Sequence, residues 1–220
     1  MASKRTLLSW SSGKDSAFAL HLLLKDSSIN LSGLFTTVNQ EFDRVAMHAT
    51  RVKLLKQQAD ACGLPLHIIK IPFPCSNADY ERIMSEFIVK IQNDNIEAVA
   101  FGDLYLEDIR DYRIKQMDGT GIEPIFPCWG IDTQELSKCI IDIGIKANIT
   151  CIDPKQISTD FAGHAFNQNL LKSLPSSVDP CGENGEFHTF VYDSPDFSSP
   201  VDIAQGETVE RDGFVFTDWQ

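Results

Sequence analysis

The first stretch that could bind or activate a ligand is SSGKDS, residues 11–16, which lies between two apolar runs. Small residues let successive backbone N–H groups converge, and the start of a following helix adds a partial positive charge. The hydroxyls of Ser11, Ser12 and Ser16 are further donors. The stretch therefore predicts an anion site. The alternative is a plain strand-to-helix turn with a serine cap.

The lysine of this stretch, Lys14, occupies a position that cations normally avoid, because a helix N-terminus is itself partly positive. A bound anion would explain the placement. On this interpretation, replacing Lys14 by alanine leaves the ligand-free protein as stable as before or slightly more stable. In the alternative interpretation the lysine extends into solvent.

The stretch differs from the Walker-type phosphate loop, which requires G-x-x-x-x-G-K-[ST]. Leu8 stands where that loop has its first glycine, and Asp15 follows the lysine where Ser or Thr is required. The sequence therefore indicates a phosphate ligand held by another kind of loop.

A second candidate is Gly102-Asp103, which follows a predicted strand at 96–101. Open parallel sheets bind ligands beyond the carboxyl ends of their strands, where the strand order reverses. If the first strand lies between the second and the fourth, SSGKDS and Gly102-Asp103 flank one crevice. Asp103 could then hold Mg²⁺ bound to phosphate. The alternative is an N-cap for a helix beginning at Tyr105.

A third candidate is GENGEF, residues 182–187, which has two glutamates and two glycines at a spacing of three. Glycines permit a left-handed backbone and the close approach of a ligand. The carboxylates of Glu183 and Glu186 could bind a cation or an amine, or act as a base. The alternative is a solvated hairpin turn.

Several other polar residues are expected to be structural. Asp103, Glu107 and Asp111, with Arg110 and Arg113 nearby, have the spacing of a solvated helix face. His48 has no partner at metal-ligand spacing and is interpreted as an ordinary helix histidine.

Composition narrows the class of protein. The chain has 220 residues, 43% of them apolar, and a net charge of −12. Sequence-independent nucleic-acid binding requires clustered Lys and Arg, which the sequence lacks, although folding could still form a local basic patch. Six scattered cysteines without a CxxC pair indicate a reducing, cytoplasmic setting. No apolar stretch is long enough to span a membrane.

The elements that must position these residues alternate in the first half. Periodicity predicts strands at 6–10, 31–38, 66–71 and 96–101, and helices at 16–25 and 45–62. Asn77 or Asp79 could cap a third helix that reaches about Asn93. This order predicts an α/β fold with a parallel sheet and right-handed crossovers. The second half is less regular, with helices at 107–117, 134–143 and 161–174, strands at 147–152 and 188–192, and further β-structure to 219. The boundary is expected near Gly102.

SSGKDS, Gly102-Asp103, FPCWG at 126–130 and DPCGENGEFHTFV at 179–191 occur in this order. The combination resembles the diphthine–ammonia ligase family of ATP pyrophosphatases, in which the first motif appears as SGGKDS and the last as CGEGGE. The resemblance covers about residues 6–195. Ser12 replaces a glycine, so its φ is expected to suit a non-glycine residue. Asn184 also replaces a glycine and is expected to tolerate a left-handed backbone.

The resemblance implies a Rossmann-like sheet of the adenine nucleotide alpha hydrolase type. It implies an ATP-binding pyrophosphatase-loop domain at 1–102 and a smaller α+β substrate-binding subdomain at 103–220. It also implies ATP and Mg²⁺ as cofactors, with Asp15 and Asp103 as metal ligands. The implied nucleotide-binding residues are Ser11, Ser12, Gly13, Lys14, Asp15, Ser16, Thr36, Thr37, Gly102 and Asp103.

The implied reaction forms an amide. A substrate carboxylate attacks the α-phosphate of ATP, pyrophosphate leaves, and ammonia then displaces AMP. Lys14, Glu183 and Glu186 are the implied catalytic residues. The carboxylate acceptor is diphthine on elongation factor 2 in an archaeon or a eukaryote, and a homodimer is one candidate assembly. Two alternatives stay open. One is a related ATP pyrophosphatase with another small acceptor, as a bacterial source would require. The other is a nucleotide-binding protein without turnover.

Overall fold

The computed structural model describes residues 3–45 and 48–220. Two β-sheets form its frame. The first sheet is mostly parallel, with the order β3-β2-β1-β5-β6 and with β4 also paired to β2. Its strands are β1 (Lys4–Ser9), β2 (Ile29–Asn39), β3 (Arg44–Val45), β4 (Leu66–Ile71), β5 (Ala98–Ala100) and β6 (Glu123–Ile125).

Over the described residues, six α-helices accompany the strands, together with one 3₁₀ turn at Thr159–Phe161. The α-helices are α1 (Lys14–Lys25), α2 (Val52–Cys62), α3 (Asn77–Asn93), α4 (Glu107–Met117), α5 (Thr133–Asp142) and α6 (Gln168–Ser173). The observed bounds of α4 and the end of α3 match the predicted ones, but the cap predicted for α3 at Asn77 or Asp79 is wrong, since both residues lie within the helix. Ser76 caps α3 by accepting a hydrogen bond from the Asp79 N–H, as serine commonly does at this position.

The second sheet is antiparallel, with the order β8-β7-β10-β9. Its strands are β7 (Lys146–Ile152), β8 (Phe187–Asp193), β9 (Gln205–Arg211) and β10 (Phe214–Trp219). The predicted α/β class is confirmed, with a Rossmann-like parallel sheet followed by a separate antiparallel sheet. The division at residue 102 stays a prediction.

Two apolar clusters stabilise the parallel sheet. One lies beneath α3 and includes Leu7, Phe35 and Ile91. The other joins Leu8 of β1 and Phe190 of β8, so both sheets contribute to it. Because this second cluster is shared, the two sheets pack on one common core.

Two predicted helices differ from the structure. The helix predicted for 45–62 begins only at Val52. Arg44 and Arg51 both bind the Asp218 carboxylate, and Ala49 has a non-helical φ of 53°. Residues 46 and 47 lie outside the described part of this prediction. The helix predicted for 161–174 is reduced to α6, because Gly163 has φ 73° and Ala165 bridges to Asn148.

Over the described residues, none of the helices combines the length and the apolar character needed to cross a membrane.

Candidate active site

A cavity of about 220 Å³ opens at the carboxyl ends of β1 and β5, which are neighbours in the sheet. Because β1 lies between β2 and β5, the strand order reverses at this point, as the predicted crevice requires. All three predicted motifs contribute to the wall. The predicted site residues that line it are Ser11, Lys14, Asp15, Ser16, Gly102, Asp103 and Glu183.

Hydrogen bonds between β8 and the SSGKDS loop shape the loop. The N–H of Lys14 donates to the Thr189 hydroxyl at 3.1 Å, and the Val191 N–H donates to the Ser12 carbonyl at 2.9 Å. The two partners lie about 175 residues away in sequence. The conformation of the loop therefore depends on the antiparallel sheet as well as on its own strand and helix.

Ser12 has φ 73°, which is the left-handed region that a glycine would adopt more readily. The expectation that its φ would suit a non-glycine residue is wrong. Ser12 is fully buried, and its hydroxyl pairs with the Thr50 hydroxyl at 2.7 Å. This contact and the backbone bond to Val191 hold the unfavourable conformation. Asn184, by contrast, does not adopt the left-handed conformation expected of it, whereas its neighbours Gly182 and Gly185 do.

The buried amide of Gln58, on α2, makes hydrogen bonds that hold the loop in place. Its Nε2 donates to the carbonyls of Ser12, at 3.1 Å, and Val191, at 2.6 Å. Its Oε1 accepts from the Trp10 indole N–H at 2.8 Å. One side chain with no exposed surface thus links Trp10, just after β1, to the loop and to β8.

The Lys14 side chain turns inward rather than into solvent, with 2% of it exposed. Its ammonium binds the Asp15 carboxylate at 2.9 Å and the Cys181 carbonyl, and it lies over the rings of Phe166 and Phe187. Burial lowers the pKa of Lys14, but the carboxylate of Asp15 and its other neighbours outweigh burial and the pKa is raised. The ammonium thus stays charged, and these contacts make it a structural group as well as a ligand-facing one.

Gly102 fits closely against the first turn of α1. A Cβ atom at this position would lie 3.2 Å from the backbone carbonyl carbon of Asp15 and the nitrogen of Ser16. Asp103 does not cap the following helix, since the N-cap of α4 is Leu106. The alternative role considered for Asp103 is therefore wrong, and its carboxylate lines the cavity instead.

Two carboxylate oxygens of the wall are buried without a hydrogen-bond partner, namely Oδ1 of Asp15 and Oδ2 of Asp103. Burial raises the pKa of Asp103, while the nearby Arg113 charge lowers it, and the net shift is upward. Within the described ranges, no cluster of three or more metal-ligating side chains is found. Mg²⁺ usually takes only one or two carboxylates together with substrate phosphates. The two orphaned oxygens fit that requirement.

The two glutamates of GENGEF occupy different environments. Glu183 lines the cavity, and one of its oxygens accepts a hydrogen bond from the Leu104 N–H at 3.0 Å. Burial raises its pKa to about 7 against the lowering effect of that hydrogen bond. Glu186 is 2% exposed and accepts hydrogen bonds from the N–H groups of Asp179 and Asn184, both at 2.9 Å. These contacts shape the loop, and Glu186 does not line the cavity.

Two histidines in the wall were not predicted to belong to the site. His48 lies in a turn rather than a helix, and its Nδ1 pairs with the Thr189 carbonyl at 3.0 Å. Its ring lies 4.7 Å from that of His188. It also packs on the loop, where a Cβ at Gly13 would lie 2.7 Å from its Cε1. Burial lowers the pKa of both imidazoles, which favours their neutral form.

Arg113 also lines the cavity, although its spacing indicated a solvated helix face. Its guanidinium stacks over the ring of Phe101 at 4.9 Å and lies 3.7 Å from the Asp103 carboxylate. A signal in the sequence was available, because Arg113 follows Gly102-Asp103 on the next helix. The spacing of residues in the sequence did not predict that α4 packs against Phe101.

Some predicted ligand-binding residues lie outside the wall. Ser12 and Gly13 belong to the loop but not to the cavity surface. Thr36 and Thr37 lie in β2 and pair with β4, so their predicted contact with adenine stays a prediction.

Sequence comparison with family models covers both halves of the chain. Residues 4–120 match the diphthamide synthase N-terminal domain, and residues 132–217 match the diphthamide synthase C-terminal domain. The chain belongs to the diphthamide synthase family. This result confirms the resemblance drawn from the motifs and places the chain with the enzymes of diphthamide biosynthesis. No curated protein matches the chain in the corresponding sequence search.

Proposed function

We propose that this diphthamide synthase family member is an ATP-dependent amide-forming ligase resembling diphthine–ammonia ligase. The observation that carries the proposal is the shared cavity. The SSGKDS loop, at the N-terminus of α1, and Glu183, from the other half of the chain, face the same space. A phosphate-binding loop opposite a carboxylate suits a reaction in which ATP activates one substrate and an amine then attacks it.

The first step is adenylation. A carboxylate oxygen of the acceptor attacks the α-phosphorus, the bond between that phosphorus and the bridging oxygen to the β-phosphate breaks, and pyrophosphate leaves. The loop N–H groups and the dipole of α1 hold the departing phosphates. Lys14, fixed beneath the loop, offsets the negative charge that grows on them.

The second step is ammonia transfer. The ammonia nitrogen attacks the acyl carbon, the bond to the AMP oxygen breaks, and AMP leaves with the electron pair. The nitrogen loses a proton, and Glu183 accepts it. A carboxyl with a pKa of about 7 is well suited to this exchange near neutral pH.

Asp15 and Asp103 are the residues that would hold Mg²⁺, through their two unpartnered oxygens. When bound, the ion supplies charge neutralisation at the phosphates. The carboxylates of Asp15, in the first turn of α1, and Asp103, after β5, would hold it.

Nucleotide chromatography after incubation with ATP, Mg²⁺, ammonium and a diphthine-bearing elongation factor 2 tests the proposal. AMP and pyrophosphate are expected as products, and AMP should form only slowly without acceptor. The Glu183→Gln variant is expected to bind ATP normally but to form little amide. ADP as the main product would overturn the proposal. AMP formed only with a different carboxylate would retain the chemistry and change the acceptor.

A further inference from the structure

The charges of the cavity wall are unbalanced. Over the described residues, the lining lysine and arginine side chains are Lys14 and Arg113, and they face three carboxylates, those of Asp15, Asp103 and Glu183. ATP adds several negative charges to this space. A wall that accepts ATP therefore needs every available cation.

Lys14 has little capacity left. Its ammonium already binds Asp15 and the Cys181 carbonyl, and 2% of the side chain is exposed. It can offset phosphate charge at short range, but two of the three donors of its ammonium are committed within the protein.

The Arg113 side chain, in contrast to that of Lys14, makes no hydrogen bond within the described residues and is partly exposed. Its Nε is buried and has no hydrogen-bond partner, and 25% of the side chain is exposed. Oδ2 of Asp103 lies 3.7 Å from Nε, which is close enough for an ion pair but too long for a hydrogen bond, so neither atom has a hydrogen-bond partner. A buried donor without a partner is costly, so such a group normally meets a ligand or water.

The guanidinium also has an aromatic ring on one face. Phe101, at the end of β5, supports one face of it at 4.9 Å. A stacked, planar guanidinium presents its donors in a fixed fork that matches the oxygens of a phosphate group. The carbonyl end of β5 leads directly to Gly102, which packs against the first turn of α1. The fork therefore lies on the wall that adjoins the phosphate loop.

We infer that Arg113 binds a phosphoryl oxygen of the nucleotide and is the cavity's principal hydrogen-bonding cation. This inference rests on the proposed function and adds a second binding wall, formed by α4, to the SSGKDS loop. The phosphate is bound between the loop on one side and Arg113 on the other.

The neighbouring Arg110 provides a matched control. It lies on the same helix, its guanidinium stacks on Trp129 at 4.3 Å, and its Nε is likewise buried without a partner. Arg110 is absent from the cavity lining. Replacing each arginine by methionine removes the same charge and retains an apolar chain on the aromatic ring.

Isothermal titration of the full chain with a non-hydrolysable ATP analogue tests the inference. Arg113→Met is expected to weaken binding about tenfold or more, which is the loss typical of a charge-assisted hydrogen bond. Arg113→Lys, which keeps the charge without the fork, should give a smaller loss and serves if the methionine variant folds poorly. Arg110→Met should change affinity by less than about twofold.

Titrations with AMP alone and pyrophosphate alone identify the phosphate. A loss confined to AMP assigns Arg113 to the α-phosphate, and a loss confined to pyrophosphate assigns it to the leaving group. If the unchanged protein binds all three probes and both Arg113 variants bind them equally well, the inference is overturned while the proposed function stands. If the unchanged protein binds none of them, both are overturned.

Discussion

At the residue scale, Lys14 combines two roles that the sequence presented as alternatives. It belongs to the phosphate loop, and its ammonium also joins Asp15 to the Cys181 carbonyl. Burial of the ammonium changes the expectation that its removal leaves the ligand-free protein as stable as before. Loss of the donor leaves a carbonyl and a carboxylate without their partner, and this cost outweighs the relief of helix-dipole repulsion.

We therefore expect Lys14→Met to lower the free energy of unfolding of the ligand-free protein by about 1–3 kcal/mol. It should also weaken nucleotide binding. Denaturant unfolding and titration of the ATP analogue measure the two effects. Lys25→Met, at the exposed end of the same helix, is the control and should cost less than about 1 kcal/mol. Equal effects of the two changes would contradict the structural role of Lys14.

Glu183 makes the stability of the protein depend on pH. Its pKa is about 7 in the folded protein, against an ordinary value of 4.5. Between these two values the folded state binds more protons than the unfolded state, so the free energy of unfolding falls as pH rises. The Glu183 contribution is present below this window and lost above it.

The Glu183→Gln variant lacks this contribution. From about pH 5 to about pH 8, its melting temperature should fall less, or rise more, than that of the unchanged protein. Comparison of the two proteins cancels the histidines and other groups that titrate in the same range. If the melting temperatures of the two proteins differ by the same amount at every pH, folding does not raise the Glu183 pKa.

At the element scale, α2 supports the phosphate loop through Gln58. Its amide satisfies two carbonyls and one indole N–H that are otherwise buried. Gln58→Leu should therefore lower the free energy of unfolding by about 3 kcal/mol or more, and it should weaken nucleotide binding because Ser12 loses its support. Gln57→Leu is the neighbouring control, since the Gln57 Oε1 has no hydrogen-bond partner to lose. Chemical denaturation distinguishes them, and a Gln58→Leu protein as stable as the Gln57→Leu protein would contradict this role.

The elements that local pattern determines were predictable. The end of α3 and both bounds of α4 were predicted from the local pattern of residues, and β4 follows from a short apolar run. The start of α2 was not predictable from local pattern, since Asp218, which binds both Arg44 and Arg51 there, lies far away in sequence.

The same distinction applies to the site. Lys14, Asp15, Asp103 and Glu183 were found because each belongs to a short motif. Arg113 and His48 were missed because their place in the wall depends on packing between distant elements. Glu186 has the same spacing in its motif as Glu183, and only its hydrogen bonds reveal its structural role.

At the scale of the whole molecule, the two halves share one core and one cavity. Leu8 and Phe190 belong to the same buried cluster, and Thr189 completes the hydrogen bonding of the loop. Separating the halves would expose this apolar surface to water and remove the partners of the loop.

A fragment of residues 1–131 is therefore expected to lack a cooperative thermal transition and to bind the ATP analogue at least about tenfold more weakly than the full chain. Circular dichroism on heating and titration calorimetry measure these properties. A fragment that melts cooperatively and binds as tightly as the full chain would show that the N-terminal half carries the site alone.

The hydrogen bonds from β8 to the SSGKDS loop also limit how the motif can be transplanted. Ser12 holds a glycine-like conformation only because Thr50, Gln58 and Val191 secure it from outside the motif. Grafting the six residues onto another parallel sheet would transfer the sequence of the loop but not its backbone conformation. An engineer who wants this site in a new scaffold must carry β8 and α2 with it, or replace Ser12 by glycine.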